Sequence, residues 1–181
     1  MDIGISILVT FVLILVNGYF SASEMALVNA RKVVLQKEAE EGSKKAARAL
    51  DLAADSDRFL ATIQVAITLV GFFASAAAAT NLSEPLSQWL SSFGVEWLAL
   101  VAPGLAPVLI TLIVSYFSIV IGELVPKRIA LSSAESVSKA VAGPLSIFQK
   151  IFSPIVRFTA ASADLLARIM RVKSADDRQD V

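Results

Sequence analysis

The sequence predicts an all-α integral membrane fold: three transmembrane helices, joined and followed by cytoplasmic juxtamembrane amphipathic helices. Three observations carry that prediction. Apolar residues make up 56% of the 181 positions and mean hydropathy is +0.70, outside the usual range of a soluble domain. The runs Ile3 to Ser23, Phe59 to Ser83 and Trp97 to Gly122 contain no charged side chain. Each exceeds the roughly 18 to 20 residues that a helix needs to cross the hydrocarbon core. Charge is also one-sided: net charge is zero, yet all sixteen Lys and Arg lie between the first two runs or after the third. By the positive-inside rule the chain sits in the cell membrane as a multi-pass protein. The N-terminus is then outside, and both the segment from Asn29 to Arg58 and the C-terminus are cytoplasmic.

The first span is predicted over residues 3–27. It lacks the basic n-region of a cleaved leader, with Asp2 alone before it, and is too long for an h-region, so it is read as a retained helix. Residues 31–56 are charged, rich in Ala and free of Pro, with Gly42 the one interruption. They read as a pair of short cytoplasmic helices, or one bent at Glu41-Gly42-Ser43. A solvated connector and a contact for a partner domain both fit.

The second span is predicted over residues 59–83. In the outer segment from Asn81 to Glu96, Leu86, Trp89, Leu90 and Phe93 recur at helical spacing, predicting a short amphipathic surface helix. Trp89, Phe93 and Trp97 suit anchoring at headgroup level. The third span is predicted over 97–123, with regular helix beginning at Pro103 and Pro107, since proline is tolerated in a first turn.

Beyond Lys127 the character changes, because Lys139, Lys150, Arg157, Asp164, Arg168 and Arg171 interrupt the apolar pattern. A juxtamembrane belt over 133–172, lying along the cytoplasmic face, fits this better than a fourth span. Pro144 and Pro154 are expected to break or kink it. Residues 1–173 thus form the membrane unit, and the polar stretch 174–181 reads as a linker to further domains.

Polar residues line one face of each span. Asn17, Ser21 and Glu24 do so on the first, Gln64, Thr68, Gly71 and Ser75 on the second, and Thr111, Ser115, Ser118 and Gly122 on the third. Small and hydroxylated residues let spanning helices pack closely, which accounts for the stripes but not for two carboxylates. Glu24 and Glu123 end the first and third runs, at matched depth when those helices run the same way. An ionised group at that depth faces a partner charge, an ion or a protein interior.

Pro126 cannot donate to the carbonyl of Gly122, and a carbonyl freed this way is a cation ligand where a broken helix lines a cavity. With the Ser21 or Ser23 hydroxyl and the Glu123 carboxylate it would form an oxygen-only site for a hard divalent cation. The competing reading pairs Glu24 or Glu123 with Lys127 or Arg128 at the interface. Cys and His are absent, which removes disulfides, thiolates, imidazole bases and the usual zinc ligands. No nucleophile and base pair can be assembled, so an enzyme is the least favoured class. The partner expected from composition is the lipid bilayer, not nucleic acid.

Three stretches resemble the membrane domain of the CorC and cyclin-M (CNNM) family of magnesium transporters. They are Asn17-Gly18-Tyr19-Phe20-Ser21-Ala22-Ser23-Glu24-Met25-Ala26-Leu27, Ala61-Thr62-Ile63-Gln64-Val65-Ala66-Ile67-Thr68-Leu69-Val70-Gly71, and Gly122-Glu123-Leu124-Val125-Pro126-Lys127. The resemblance implies a homodimer that exports magnesium across the plasma membrane, coupled to sodium entry. It also implies nucleotide-sensing cytoplasmic CBS domains after the membrane part, which these residues do not include. The implied cation site draws on Ser21, Ser23, Gly122 and Glu123, with Thr62 and Gln64 from the second helix. Glu24, Gly71, Pro126 and Lys127 would serve structure or gating. Family members carry asparagines where this chain has Ile67 and Gly71, so Gln64 or a backbone carbonyl is expected to substitute. The alternative from another class is a non-transporting scaffold or magnesium-sensing module.

Overall fold

A computed structural model describes residues 2–170. The predicted linker 174–181 and the end of the predicted belt, Arg171 included, lie outside the described residues. The fold is all-α: α1 (Ile3–Asn29), α2 (Lys32–Glu40), α3 (Lys44–Ala54), α4 (Ser56–Ser91), α5 (Glu96–Ile119), a π-helical turn (Val120–Leu124), α6 (Val125–Ser132) and α7 (Ala134–Ile169). Among the described residues three stretches are long and apolar enough to cross a membrane: Ile3–Asn29, Arg58–Ser91 and the continuous Glu96–Ser132.

Helix α1 is built inside out relative to a helix in water. Ser6, Thr10, Asn17 and Ser21 are buried, whereas Ile5, Leu8, Val12 and Leu15 are about half exposed. Such a pattern places polar side chains between helices and leaves the apolar face to hydrocarbon. Asp2 caps the start, its carboxylate accepting from the Gly4 N–H.

The connector between the first two spans is two helices. Gly42 turns the chain between α2 and α3 at φ +98°, a left-handed conformation that glycine adopts without penalty. Ser43 then caps α3 by accepting from the Ala46 N–H. Ala46, Ala49 and Leu52 bury one face of α3. They join Phe20, Leu27, Leu35, Phe59, Ile63, Ala142 and Leu145 in one cluster where α1, α2, α3, α4 and α7 meet.

Helix α4 corrects the predicted outer segment. Its 36 residues run unbroken to Ser91, about 54 Å at 1.5 Å per residue, well beyond the ~30 Å hydrocarbon core. Leu86, Trp89 and Leu90 of the predicted surface helix form the end of α4, while Phe93 falls in the connection, which shrinks to Ser92–Val95. Polar side chains where span and outer segment meet bond within the helix: the Asn81 amide donates to the Ala77 carbonyl at 2.7 Å, and the Ser83 hydroxyl to the Ala79 carbonyl. Pro85 removes one ladder donor without ending the helix.

Helix α5 likewise begins at Glu96, not at the prolines; Pro103 and Pro107 lie inside it. Each removes one hydrogen bond, a loss that membrane helices tolerate through local adjustment. Helix α7 is also continuous through Pro144 and Pro154, so of the expected break or kink the break does not occur. It is pinned on its first half: the Tyr19 hydroxyl donates to the Val141 carbonyl at 2.9 Å, and the Phe20 and Phe148 rings sit 4.7 Å apart. Arg31–Glu135 and Lys139–Glu38, both at 2.6 Å, tie α7 to the start and middle of the α2 region.

Candidate cation site

The site is set by a close backbone approach between α1 and the π turn. A methyl group on Gly18 would stand 3.0 Å from Pro126 Cγ and 3.2 Å from the Ile121 carbonyl oxygen. One on Gly122 would stand 3.1 Å from Asn17 Nδ2 and 3.2 Å from the Ile14 carbonyl oxygen. Only glycine at both positions lets the two segments meet at this distance, the same use of small residues that governs tight helix pairs in membranes.

The π turn changes the predicted helix break. The Val125 N–H bonds to the Val120 carbonyl, five residues back, and the helix resumes as α6 with Pro126 in its first turn. Pro126 still supplies no donor for Gly122. That carbonyl is nevertheless not free: Asn17 Nδ2 donates to it at 3.4 Å. The bond is long, hence weak, but it fixes the amide, because a carbonyl can face only the NH2 end.

With the amide so oriented, Asn17 Oδ1 is buried with no partner, and the buried Ser21 hydroxyl has none either. The other serine and threonine hydroxyls of α1 are committed, as is that of Thr62 on α4. Ser6 donates to the Asp2 carbonyl, Thr10 to Ser6, Ser23 to Tyr19 and Thr62 to Arg58, at 2.7 to 3.1 Å. Most buried polar atoms in native proteins find a partner, so these two oxygens, one helical turn apart, are free to accept from or ligate a group between the helices.

Asn17 also lines a cavity of about 420 Å³ to which all three spanning elements contribute. Gln64, Thr68 and Ser75 face it from α4, Ser115 and Ser118 from α5, and Glu123 from the π turn. Gly71 and Ile67 line it as well. The whole predicted stripe on the second span is therefore brought to one cavity, together with half of that on the third. Thr111 stands apart, exposed and bonded to the Pro107 carbonyl.

Among the predicted site residues, Gln64 and Glu123 share this cavity. Gly122 is packed on α1 against Asn17, and Ser21, one turn along α1 from Asn17, is buried and not among the lining residues. Ser23 is buried but is not among the lining residues. Thr62 faces a different cavity, between α4 and α7. The two carboxylates part company: Glu24 pairs with Lys127 at 3.2 Å, whereas Glu123 makes no ion pair among the described residues. Interfacial pairing thus applies to Glu24 and not to Glu123. No cluster of three or more acidic side chains occurs among the described residues, so the cavity offers one carboxylate and several neutral oxygens. Sequence reasoning placed Asn17 on the right face but missed it as a ligand candidate. The inward stripe Ser6, Thr10, Asn17, Ser21 was the signal.

Comparison with known proteins agrees with this architecture. The model of the cyclin M transmembrane N-terminal domain matches residues 8–181. UPF0053 protein sll0260 of Synechocystis sp. is 38% identical over 169 residues, covering 92% of this chain and 37% of that protein. UPF0053 protein YhdT of Bacillus subtilis is 31% identical over 180 residues, covering 95% of this chain and 37% of that protein. The polyamine export protein of Haemophilus influenzae is 29% identical over 175 residues, covering 96% and 40%. The chain spans about two fifths of the length of these relatives. It belongs to the cyclin M transmembrane domain family, a transporter-type membrane domain.

Proposed function

We propose that this domain carries magnesium out of the cell across the plasma membrane, coupled to sodium entry. It would act as a homodimer with its N-terminus outside and its C-terminus, followed by CBS domains in the full-length protein, in the cytoplasm. The observation that carries this reading is a polar cavity lined by both Asn17 and Glu123, with unpaired buried oxygens at Asn17 and, one turn along α1, at Ser21. Magnesium takes oxygen ligands, is satisfied by one or two carboxylates and keeps several of its waters. At about 30 Å³ per water, a cavity of 420 Å³ has room for an ion with much of its shell. A single carboxylate also keeps binding weak enough for release, which a transport site needs. Gln64 takes the place of the second-helix asparagines that the resemblance leads one to expect.

A titration of thermal stability tests this. Magnesium should raise the melting midpoint of the native protein by mass action, and Glu123→Ala should remove that rise while leaving helicity intact. In vesicles the same variant should lose magnesium flux, with an imposed sodium gradient driving flux only in the native protein. Equal flux from both proteins would rule the reading out, and the absence of any magnesium effect would favour the scaffold.

One finding favours a second substrate class. A relative is named a polyamine export protein, and an alkylammonium donates three hydrogen bonds that Glu123, Ser115 and Ser118 could accept. Stabilisation by a linear diamine in place of magnesium, lost in Glu123→Ala, would select this reading.

A further inference from the structure

A second cavity, of about 390 Å³, lies between the start of α4 and the middle of α7. Arg58 and Thr62 line it from α4, and Ser153, Val156, Arg157 and Ala160 from α7. We propose that it binds the phosphate of an anionic phospholipid at the membrane surface.

The chemistry of the lining selects an anion. Two guanidinium groups from different helices flank one space, and among the described residues no carboxylate lines it. Neither arginine makes an ion pair among the described residues, whereas Arg31 and Lys139 are each held at 2.6 Å by a glutamate. Placing two like charges around a shared cavity costs energy until an anion enters. A guanidinium is the side chain best shaped for a phosphate, because its N–H groups match two oxygens at once. The Ser153 hydroxyl has no hydrogen bond among the described residues and supplies a further donor. Thr62 does not, since its hydroxyl is spent on the Arg58 carbonyl.

Depth selects a lipid over a free anion. Arg58 is the first residue of the second membrane-crossing stretch, and the uncharged run begins at the next residue, Phe59. Its guanidinium therefore stands where hydrocarbon gives way to headgroups, and Arg157 shares that level because it shares the cavity. Basic pockets between helices at this level are where phospholipid headgroups bind. Val156 and Ala160 give the cavity an apolar wall. Beyond it α7 presents Ile151, Ile155 and Phe158, which are 65%, 43% and 74% exposed, a strip that acyl chains can cover.

The test uses the protein in detergent, titrated separately with phosphatidylglycerol, phosphatidylcholine and inorganic phosphate, with melting midpoint and lipid-bound mass as readouts. Phosphatidylglycerol should stabilise saturably, and the other two should not. Removing both charges in Arg58→Gln/Arg157→Gln should weaken phosphatidylglycerol binding by about 30-fold, from the contribution of each basic residue near a membrane surface. Arg128→Gln, which removes a charge elsewhere, should leave binding unchanged. Ala160→Trp fills the cavity while keeping both arginines, so it should also abolish binding and guards against misfolding of the double variant. Equal stabilisation by phosphatidylcholine, full stabilisation by inorganic phosphate, or native affinity in either cavity variant would overturn the proposal.

Discussion

The contact between α1 and the π turn can be tested by one methyl group. In Gly18→Ala the new Cβ meets Pro126 Cγ at 3.0 Å and the Ile121 carbonyl oxygen at 3.2 Å, both closer than ordinary van der Waals separation. The proline ring is held in the first turn of α6 and the carbonyl belongs to the π turn. Neither can swing aside as a flexible side chain would. Relief has to come from moving α1 off the turn by a few tenths of an ångström, and overpacking of this kind costs about 1–3 kcal/mol. For a chain of this size a loss of that order lowers the melting midpoint by about 2–4 °C per kcal/mol. Gly104→Ala is the control: its Cβ would meet nothing within 4 Å, and alanine is favoured over glycine in a helix interior by about 1 kcal/mol. The two substitutions should therefore move the midpoint in opposite directions. Gly18→Ala should also shrink the magnesium-induced rise, because it separates Asn17 and Ser21 from the turn that carries Glu123. A Gly18→Ala protein as stable as the native one, with a full magnesium response, would show that the close approach does not organise the site.

Other residues give independent checks. Ser21→Ala removes a buried hydroxyl that has no partner, so it should leave the metal-free midpoint unchanged or slightly higher and abolish the response to magnesium; a clear loss of metal-free stability would mean the hydroxyl is bonded. Glu24→Gln breaks the 3.2 Å pair with Lys127, whose side chains are 26% and 31% exposed, and after allowance for solvent screening should cost no more than about 1 kcal/mol. The magnesium response should survive that change, and its loss would return Glu24 to the site. Arg31 holds the Glu135 carboxyl below the usual glutamate range, chiefly through their hydrogen bond. A depressed folded-state pKa gives stability that is present above the unfolded value, near pH 4.3 for a free glutamate, and is lost as pH falls through the folded one. Acid titration of native protein and Glu135→Gln should accordingly diverge above that window and converge below it, and parallel curves throughout would exclude the pair as a contributor.

Much of the architecture was legible because the signals were long. A span is defined by some twenty uncharged residues, and no local feature overturns that count. The helix junctions were harder to read. Pro103, Pro107, Pro144 and Pro154 each argued for a start or a break, yet all four lie within continuous helix. A proline's missing bond is a fixed local loss, while the helices on either side satisfy all other backbone groups where water is scarce. Asn81 and Ser83, at the end of the predicted second span, do not end the helix, since side chains that favour turns in water bond back to their own helix here. At the site, the stripe Gln64, Thr68, Gly71, Ser75 was readable from spacing alone. Which of its members share a cavity with Glu123 was not, because that depends on how α1 and the π turn settle against each other. The π turn has no sequence signature beyond Pro126 itself, and it is what turned an expected free carbonyl into an acceptor for Asn17.

The segment of α1 from Asn17 to Glu24 shows why the empty bonding position at Ser21 is not loose packing. Asn17 reaches the Gly122 carbonyl, Gly18 abuts Pro126, Tyr19 bonds to Val141, Phe20 packs on Phe148, Ser23 bonds to Tyr19 and Glu24 holds Lys127. Along this stretch nearly every side chain is engaged, and Ser21 itself is fully buried. A serine hydroxyl in a helix can ordinarily donate to the carbonyl four residues back, as Ser6, Thr10 and Ser23 all do. Ser21 does not, although the same option exists at Asn17. Its oxygen and Asn17 Oδ1 are left unpaired, and Asn17 lines the cavity of a carboxylate, Glu123, that has no ion-pair partner among the described residues. Poor packing would scatter such defects along the helix. Here both fall within one turn, and one of them, Asn17, lines the cavity that also holds Glu123.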